Sequence, residues 1–322
     1  MKIRLVLFFM LLSITYATSQ TCCSGGVPLS NNIGLPILEK GTWQIGMFYD
    51  YNNLNTLNDG RESLNDDSRL RITHSVLVNL GYSISDNLSV EGLFTWVNQR
   101  RNITQFGNSN LDQTSGIGDA IVLGRYRIVN KSDYEISVGA GAKLPIGSTT
   151  NKNDAGITLN ADLQPGSNAL DIIYITSFSK RFSFRQSMNF STRLTYRSTG
   201  TNNEYLGSSK YKFGNEFQAF LSVSDQFLLF KQIVVPSISF KFRDVKRDMI
   251  DGNEITSTGG NWVFLIPDFS INLTPQILFT TRLEVPLYAN VRGTQLTPTY
   301  RISTGVSIQL SKKRGLQINN TI

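Results

Sequence analysis

The chain has 322 residues, of which 40% are hydrophobic, 17% charged and 11% aromatic, with a formal net charge of +7. Both the apolar and the charged fractions are low for a soluble enzyme with a thick core, and the plentiful glycine, aromatic, hydroxyl and amide residues suit many strands that are apolar on one face only. No stretch reaches about 18 consecutive apolar residues, which excludes a spanning helix and leaves strands as the only route across a bilayer.

The chain opens on a secretory signal, residues 1–19. Lys2 and Arg4 form a positive n-region, Leu5 to Leu12 an apolar h-region, and Ala17-Thr18-Ser19 a small-residue cleavage site. Loss of Lys2 and Arg4 lowers the net charge from +7 to +5. Residues 20–40 do not alternate and form a predicted periplasmic leader. It holds both cysteines, Cys22 and Cys23, side by side. Thr21 and Ser19 fit a lipid-anchor signal poorly, and two cysteines without histidines are too few for a metal site. A vicinal disulfide or a bond to another protein remains open in an oxidising compartment. The simplest reading is a leader that can fold into the mouth of a barrel.

From Gly41 to Leu310 the sequence alternates with period two, in blocks long enough for tilted strands to cross a hydrocarbon layer. Twelve such blocks start near Gly41, Arg69, Leu88, Gly118, Tyr134, Leu170, Ser183, Tyr211, Ile233, Asn261, Gln276 and Thr299. Their connections alternate strictly in length: long polar ones such as 146–168 and 245–260, short ones such as Ser85-Asp86-Asn87 and Thr274-Pro275. Short periplasmic turns and long external loops are the asymmetry of an outer-membrane barrel, which a soluble β-sandwich does not explain. The expected fold is therefore all-β, a single transmembrane antiparallel β-barrel of about 12 strands over residues 41–310, with a basic tail, 311–322, after it. Trp43, Tyr49, Tyr51, Tyr82, Phe94, Trp96, Tyr126, Tyr134, Tyr211, Phe242 and Tyr300 fall near block ends, as interfacial girdles require. Pro236 and Pro286 are placed at rims, and Pro267, in mid-strand, is expected to mark a bulge.

The only histidine of the chain, His74, falls on the apolar face of its block, with Val76 rather than Ser two residues on and no Gly-x-Ser-x-Gly elbow anywhere. No catalytic, cofactor-binding or metal-binding residues are predicted, and an outer-membrane hydrolase is the least favoured reading. The opposite face of the blocks is more informative. It carries Arg69, Arg71, Arg125, Arg127, Lys143, Arg185, Arg193, Arg197, Lys212, Lys241, Arg243, Arg282 and Arg301, against Glu91, Asp119, Glu135, Asp171, Glu216, Asp268 and Glu284. Charges inside a barrel must be paired or wetted. This leaves two readings: a narrow electropositive pore for small solutes, or a sealed structural or adhesion barrel that acts through its external loops. Nucleic acid is not an expected partner; outer-membrane lipid and a small solute are.

Ser115-Gly116-Ile117-Gly118-Asp119 running into Leu123-Gly124-Arg125-Tyr126-Arg127 resembles the "SGxGD…KYR" stretch of a family of outer-membrane barrels named for the MetA pathway of phenol degradation. Gly141-Ala142-Lys143-Leu144-Pro145-Ile146-Gly147 resembles that family's "GxKLPTG" strand end, and Gly166-Ser167-Asn168-Ala169-Leu170-Asp171 its "GTGSWD"-like lead into the next strand. Ile146 stands for the family's Thr, Asn168-Ala169 for its Trp region, and the basic tail for an aromatic terminus. The resemblance implies a channel or transport component in the outer membrane of a diderm bacterium, linked to small aromatic compounds; the excess of inward cations points to anionic solutes. The candidate lumen residues are Asp119, Arg125, Arg127, Lys143, Arg193, Arg282 and Glu284.

Overall fold

The structure, a computed structural model, describes residues 33–311. The predicted signal peptide, Cys22 and Cys23, and the tail from Lys312 on lie outside the described residues. Twelve long strands form the wall: β1 (Trp43–Leu54), β2 (Arg69–Ser83), β3 (Leu88–Gln105), β4 (Ala120–Asn130), β5 (Tyr134–Leu144), β6 (Asp171–Phe182), β7 (Arg185–Ser198), β8 (Glu216–Ser224), β9 (Gln232–Val245), β10 (Gly260–Asn272), β11 (Ile277–Val291) and β12 (Tyr300–Leu310). Each pairs antiparallel with its chain neighbour, and β12 pairs back onto β1, from Trp43 opposite Leu310 to Asn53 opposite Tyr300. Closure leaves the wall no unpaired edge, which is the condition for a sheet to sit in lipid.

The alternation written in the sequence becomes the inside and outside of this wall. On β1, Trp43, Ile45, Met47 and Tyr49 are exposed while Gln44, Phe48 and Asp50 are buried. Apolar residues therefore face out and many polar ones face in, the reverse of a soluble core. Trp43 packs on Tyr82, and Tyr51 on Tyr300 and His74, across neighbouring strands of the outer face. Eleven of the twelve strands begin within two residues of the expected positions. The exception is the block at Tyr211: Ser209–Lys212 belongs to a small sheet above the wall with Asn202–Tyr205, Met249–Ile250 and Asn253–Glu254. Lys212 is thus an external-loop residue rather than a lumen one, and Tyr211 is buried against Tyr205 and Phe213 instead of facing lipid. Short alternation cannot distinguish a wall strand from a loop hairpin. Arg185 sits at the periplasmic turn, half exposed, paired with Asp225. Pro267 keeps regular register opposite Ile238, and the bulge falls at Pro286, where Val263 faces Tyr288 but Phe264 faces Pro286. A missing N–H is tolerated at either place, and the slip occurs where one extra residue, Leu287, is accommodated.

Candidate solute chamber and its closures

Three groups of side chains fill the lumen, and they divide the predicted lumen residues among them. The first is a ladder near the external end. Asp119 precedes β4, and Lys143, Asp171, Arg197, Glu216 and Arg243 lie on β5 to β9, so the sign alternates from one strand to the next. Lys143 Nζ lies 2.7 Å from Asp119 and 3.2 Å from Asp171. Arg197 lies 3.9 Å from Asp171 and 2.8 Å from Glu216, which in turn lies 2.6 Å from Arg243. All six are buried. Asp119 also accepts from the backbone N–H of Ser167 (3.0 Å) and Gly147 (3.1 Å), which ties the external loop 145–170 to the wall. Farther along, that loop dips inward at Ala161–Leu163: Arg71 donates to the Asp162 carboxylate (3.0 Å), and Gln99 and Thr114 donate to the Leu163 carbonyl. Lys241 and Glu284 form a separate buried pair at 2.5 Å.

The second group holds the leader. Residues 33–40 run inside the wall. The Glu91 carboxylate accepts from the backbone N–H of Gly34 (2.7 Å) and Leu35 (2.6 Å). Arg193 donates to the Ile33 carbonyl at 2.6 Å, Arg125 to Leu35 and Arg127 to Ile37. Ile33 is buried in an apolar cluster made by Phe48, Leu77, Leu93, Ile121, Leu123, Ile173 and Ile175, all inward residues of β1 to β4 and β6. Gly34 has φ +83°, and a Cβ there would lie 2.8 Å from Ile175 Cδ1, so only glycine fits. Glu91 was legible as an inward acid; its task was not, because its partners are backbone amides whose position depends on the leader.

The third group lines a chamber of about 430 Å³ on the opposite side of the leader. Ser179, Ser191, Ser222 and Ser239 are direct cross-strand partners on β6 to β9. One rung toward the periplasm lie Asn189, Ser224 and Ser237; one rung toward the exterior lie Ser177, Arg193 and Phe220. The Arg193 guanidinium stacks 4.3 Å from the Phe220 ring centroid, and Arg282 completes the head of the chamber while bonded to Asp268 at 2.8 Å. Glu135, Ser179 and Ser224 also line a second, polar cavity of about 620 Å³ that reaches the periplasmic turn 130–134. Of the predicted residues, Asp119 and Lys143 therefore belong to the ladder, Arg125, Arg127 and Arg193 to the leader clamp, Arg193 also to the chamber with Arg282, and Glu284 to its own pair. The serine rungs escape notice in the sequence because serine at every second position looks like ordinary strand filler. His74 lies on the outer face, its Nδ1 2.6 Å from the Tyr49 hydroxyl, where no triad can be assembled.

Above the wall, Tyr205, Tyr211, Phe213 and Ala161 form an apolar cap. Asp248 is built into it, accepting from the Tyr211 hydroxyl (2.6 Å) and the Gly214 N–H (2.7 Å). Burial pushes this carboxyl up to about 6, and burial together with the Asp248 charge holds the Tyr211 phenol well above its ordinary value.

A closed twelve-strand barrel with an apolar belt outside and a polar, occluded lumen defines the class: an outer-membrane β-barrel. Residues 67–302 match the family described as "Putative MetA-pathway of phenol degradation", and the chain belongs to that family. Its fold matches an outer membrane channel from Pseudomonas putida F1 with a TM-score of 0.68 at 13% identity, over 88% of this chain and 100% of the other. The β domain of a Bordetella autotransporter aligns with a TM-score of 0.48 at 11% identity, over 84% of this chain and 100% of the other, a likeness of barrel architecture only. No protein of curated function matches the sequence.

Proposed function

We propose that this barrel is an outer-membrane channel for small organic anions, with the hydroxyl-lined chamber as its solute site and the leader as its plug. The chamber is the observation that carries the reading. Its wall offers many weak donors and acceptors, which let a polar solute bind and leave, as conduction requires. Four guanidinium groups, Arg125, Arg127, Arg193 and Arg282, surround it or its floor against three carboxylates, Glu91, Glu135 and Asp268, so the local field favours an anion. A carboxylate at the Arg193–Arg282 head would place its organic body against Phe220 and Ile266. A neutral aromatic hydrocarbon fits less well, because it makes no use of the Arg193–Arg282 head. The sealed-barrel reading draws on a specific observation too: Ile33 and the Ala161–Leu163 turn both occupy the lumen. Planar-bilayer recording separates the two. The intact chain is expected to conduct weakly with anion selectivity, and a variant lacking residues 20–40 several-fold more. Silence from both forms at all voltages would leave the sealed barrel as the reading.

A further inference from the structure

The outer face of the barrel carries a groove that has no part in the lumen. The hairpin of β3 continues past the wall, pairing with Asn108–Ile117. Between this extension and the start of β2 lies a groove of about 380 Å³, lined by Leu70, Ile72, His74, Arg100, Asn102, Ser109 and Leu111. Cross-strand register fixes its level. Tyr49, Val76 and Trp96 share one rung; His74 and Asn98 lie on the next outward-facing rung; Arg100, Ile72 and Gln113 on the one after. Arg100 is thus two rungs, roughly 13 Å along the strand, on the external side of the Trp96 aromatic girdle. That is the level of the phosphates and sugars of the outer leaflet.

Arg100 is exposed and faces the membrane side of the wall. Its outward neighbours are Ile72, Gln113, Asn98, Asn102, Leu70 and Leu111, none of them acidic, and among the described residues it forms no ion pair. A guanidinium set between aliphatic side chains in a concave, lipid-facing site calls for a ligand that is anionic at one end and apolar at the other. We infer that this groove is a binding site for a phosphorylated glycolipid of the outer leaflet, of the lipid A type. Arg100 takes the phosphate, with Asn102 and Ser109, themselves 2.5 Å apart, beside the sugar. Ile72, on the same rung as Arg100, and Val76, toward the bilayer from it, receive the first part of an acyl chain, while Leu70 and Leu111 flank the sugar on the rung above. The complementarity of charge and the position just above the girdle favour this occupant over a second copy of the chain, whose outer face at this level offers no carboxylate beside Arg100.

The test uses the delipidated full-length barrel in detergent and native mass spectrometry with three probes: lipid A, dephosphorylated lipid A, and phosphatidylglycerol. Wild-type protein is expected to retain lipid A in preference to both others. Arg100→Glu should lower retention about tenfold, the loss of one charge-assisted contact. Ile72→Ala should lower it a few-fold, and Arg61→Glu, in the neighbouring external loop, should leave it unchanged. Equal retention of dephosphorylated lipid A or of phosphatidylglycerol by the wild type overturns the inference, as does an Arg100→Glu barrel that holds lipid A as wild type does. Heat-modifiable gel migration verifies that each variant is folded, and Arg100→Gln replaces Arg100→Glu if the latter does not assemble.

Discussion

Two walls of the lumen at similar depth do opposite things. Around β1 to β4, inward residues are Phe48, Leu77, Leu93, Ile121 and Leu123, and they close on Ile33 of the leader. Along the periplasmic half of β6 to β9, past Ile173 and Ile175 of that same cluster, the inward residues are mostly serines with Arg193 and Phe220, and they leave a chamber. The strand alternation is the same on both sides; only the inward residue type differs. An apolar lining excludes water and needs an apolar partner, which the chain supplies from its own leader. A hydroxyl lining stays wetted and needs none. Occlusion here therefore combines the leader on the apolar wall with the Ala161–Leu163 turn toward the external end, and the proposed passage runs along the other wall once the leader withdraws.

The largest expected effect comes from the frame that holds both walls. Glu216 is buried between Arg197 and Arg243. Replacing it by alanine takes from Arg243 its 2.6 Å carboxylate and leaves Arg197 only the 3.9 Å approach to Asp171, a loss of about 3–5 kcal/mol. The folded barrel of Glu216→Ala should lose its heat-modifiable migration at markedly lower temperature than wild type. Next is the leader. Glu91→Ala removes two charge-assisted hydrogen bonds, each about 1.5–3 kcal/mol, and Gly34→Val adds a clash at a left-handed backbone position. Either should expose residues 33–40 to added protease and raise bilayer conductance several-fold; protection equal to wild type in both would break the assignment of the leader as plug. A smaller effect is expected at the chamber. Arg282→Gln leaves Asp268 without its ion-pair partner and cancels the local excess of positive charge, so the anion-to-cation permeability ratio should fall a few-fold while the unit conductance changes little.

The barrel was legible because its determinants are local. Alternation is written strand by strand, and loop asymmetry sets the sides. Arg125 and Lys143 could be placed inward for the same reason. What could not be read was which inward charges meet. Arg125 and Arg127 clamp the leader, whereas Lys143, with a similar phase, joins the ladder, and the difference lies in strand stagger and in a leader that does not alternate. The site at Tyr211 misled because a two-rung loop hairpin and a wall strand share the same period. Pro267 misled because a proline removes one donor wherever it sits, but a bulge also needs a neighbour able to absorb the extra residue, and among the partners of β10 the stretch around Leu287 does so.

The smallest effect concerns the cap above both walls. Asp248 has its carboxyl pushed up to about 6 by burial, above the 3.8 of an ordinary aspartate. A raised acid binds its proton more readily in the folded cap than in an opened one. Its contribution to closure is therefore fully present below about pH 4 and is lost as the pH rises through about 6. The cap should open more easily at pH 7.5 than at pH 4.5, by on the order of 2 kcal/mol. Because the opening is local, hydrogen exchange at Tyr211, Phe213 and Gly214 is the measurement, corrected for the intrinsic pH dependence with an exposed external-loop amide as reference. Asp248→Asn keeps a carbonyl acceptor for the Gly214 N–H, turns its amide N–H toward the Tyr211 hydroxyl oxygen, which accepts, and cannot ionise, so its protection should be flat across this range. A wild-type cap equally protected at both pH values would show that the carboxylate is accommodated without cost.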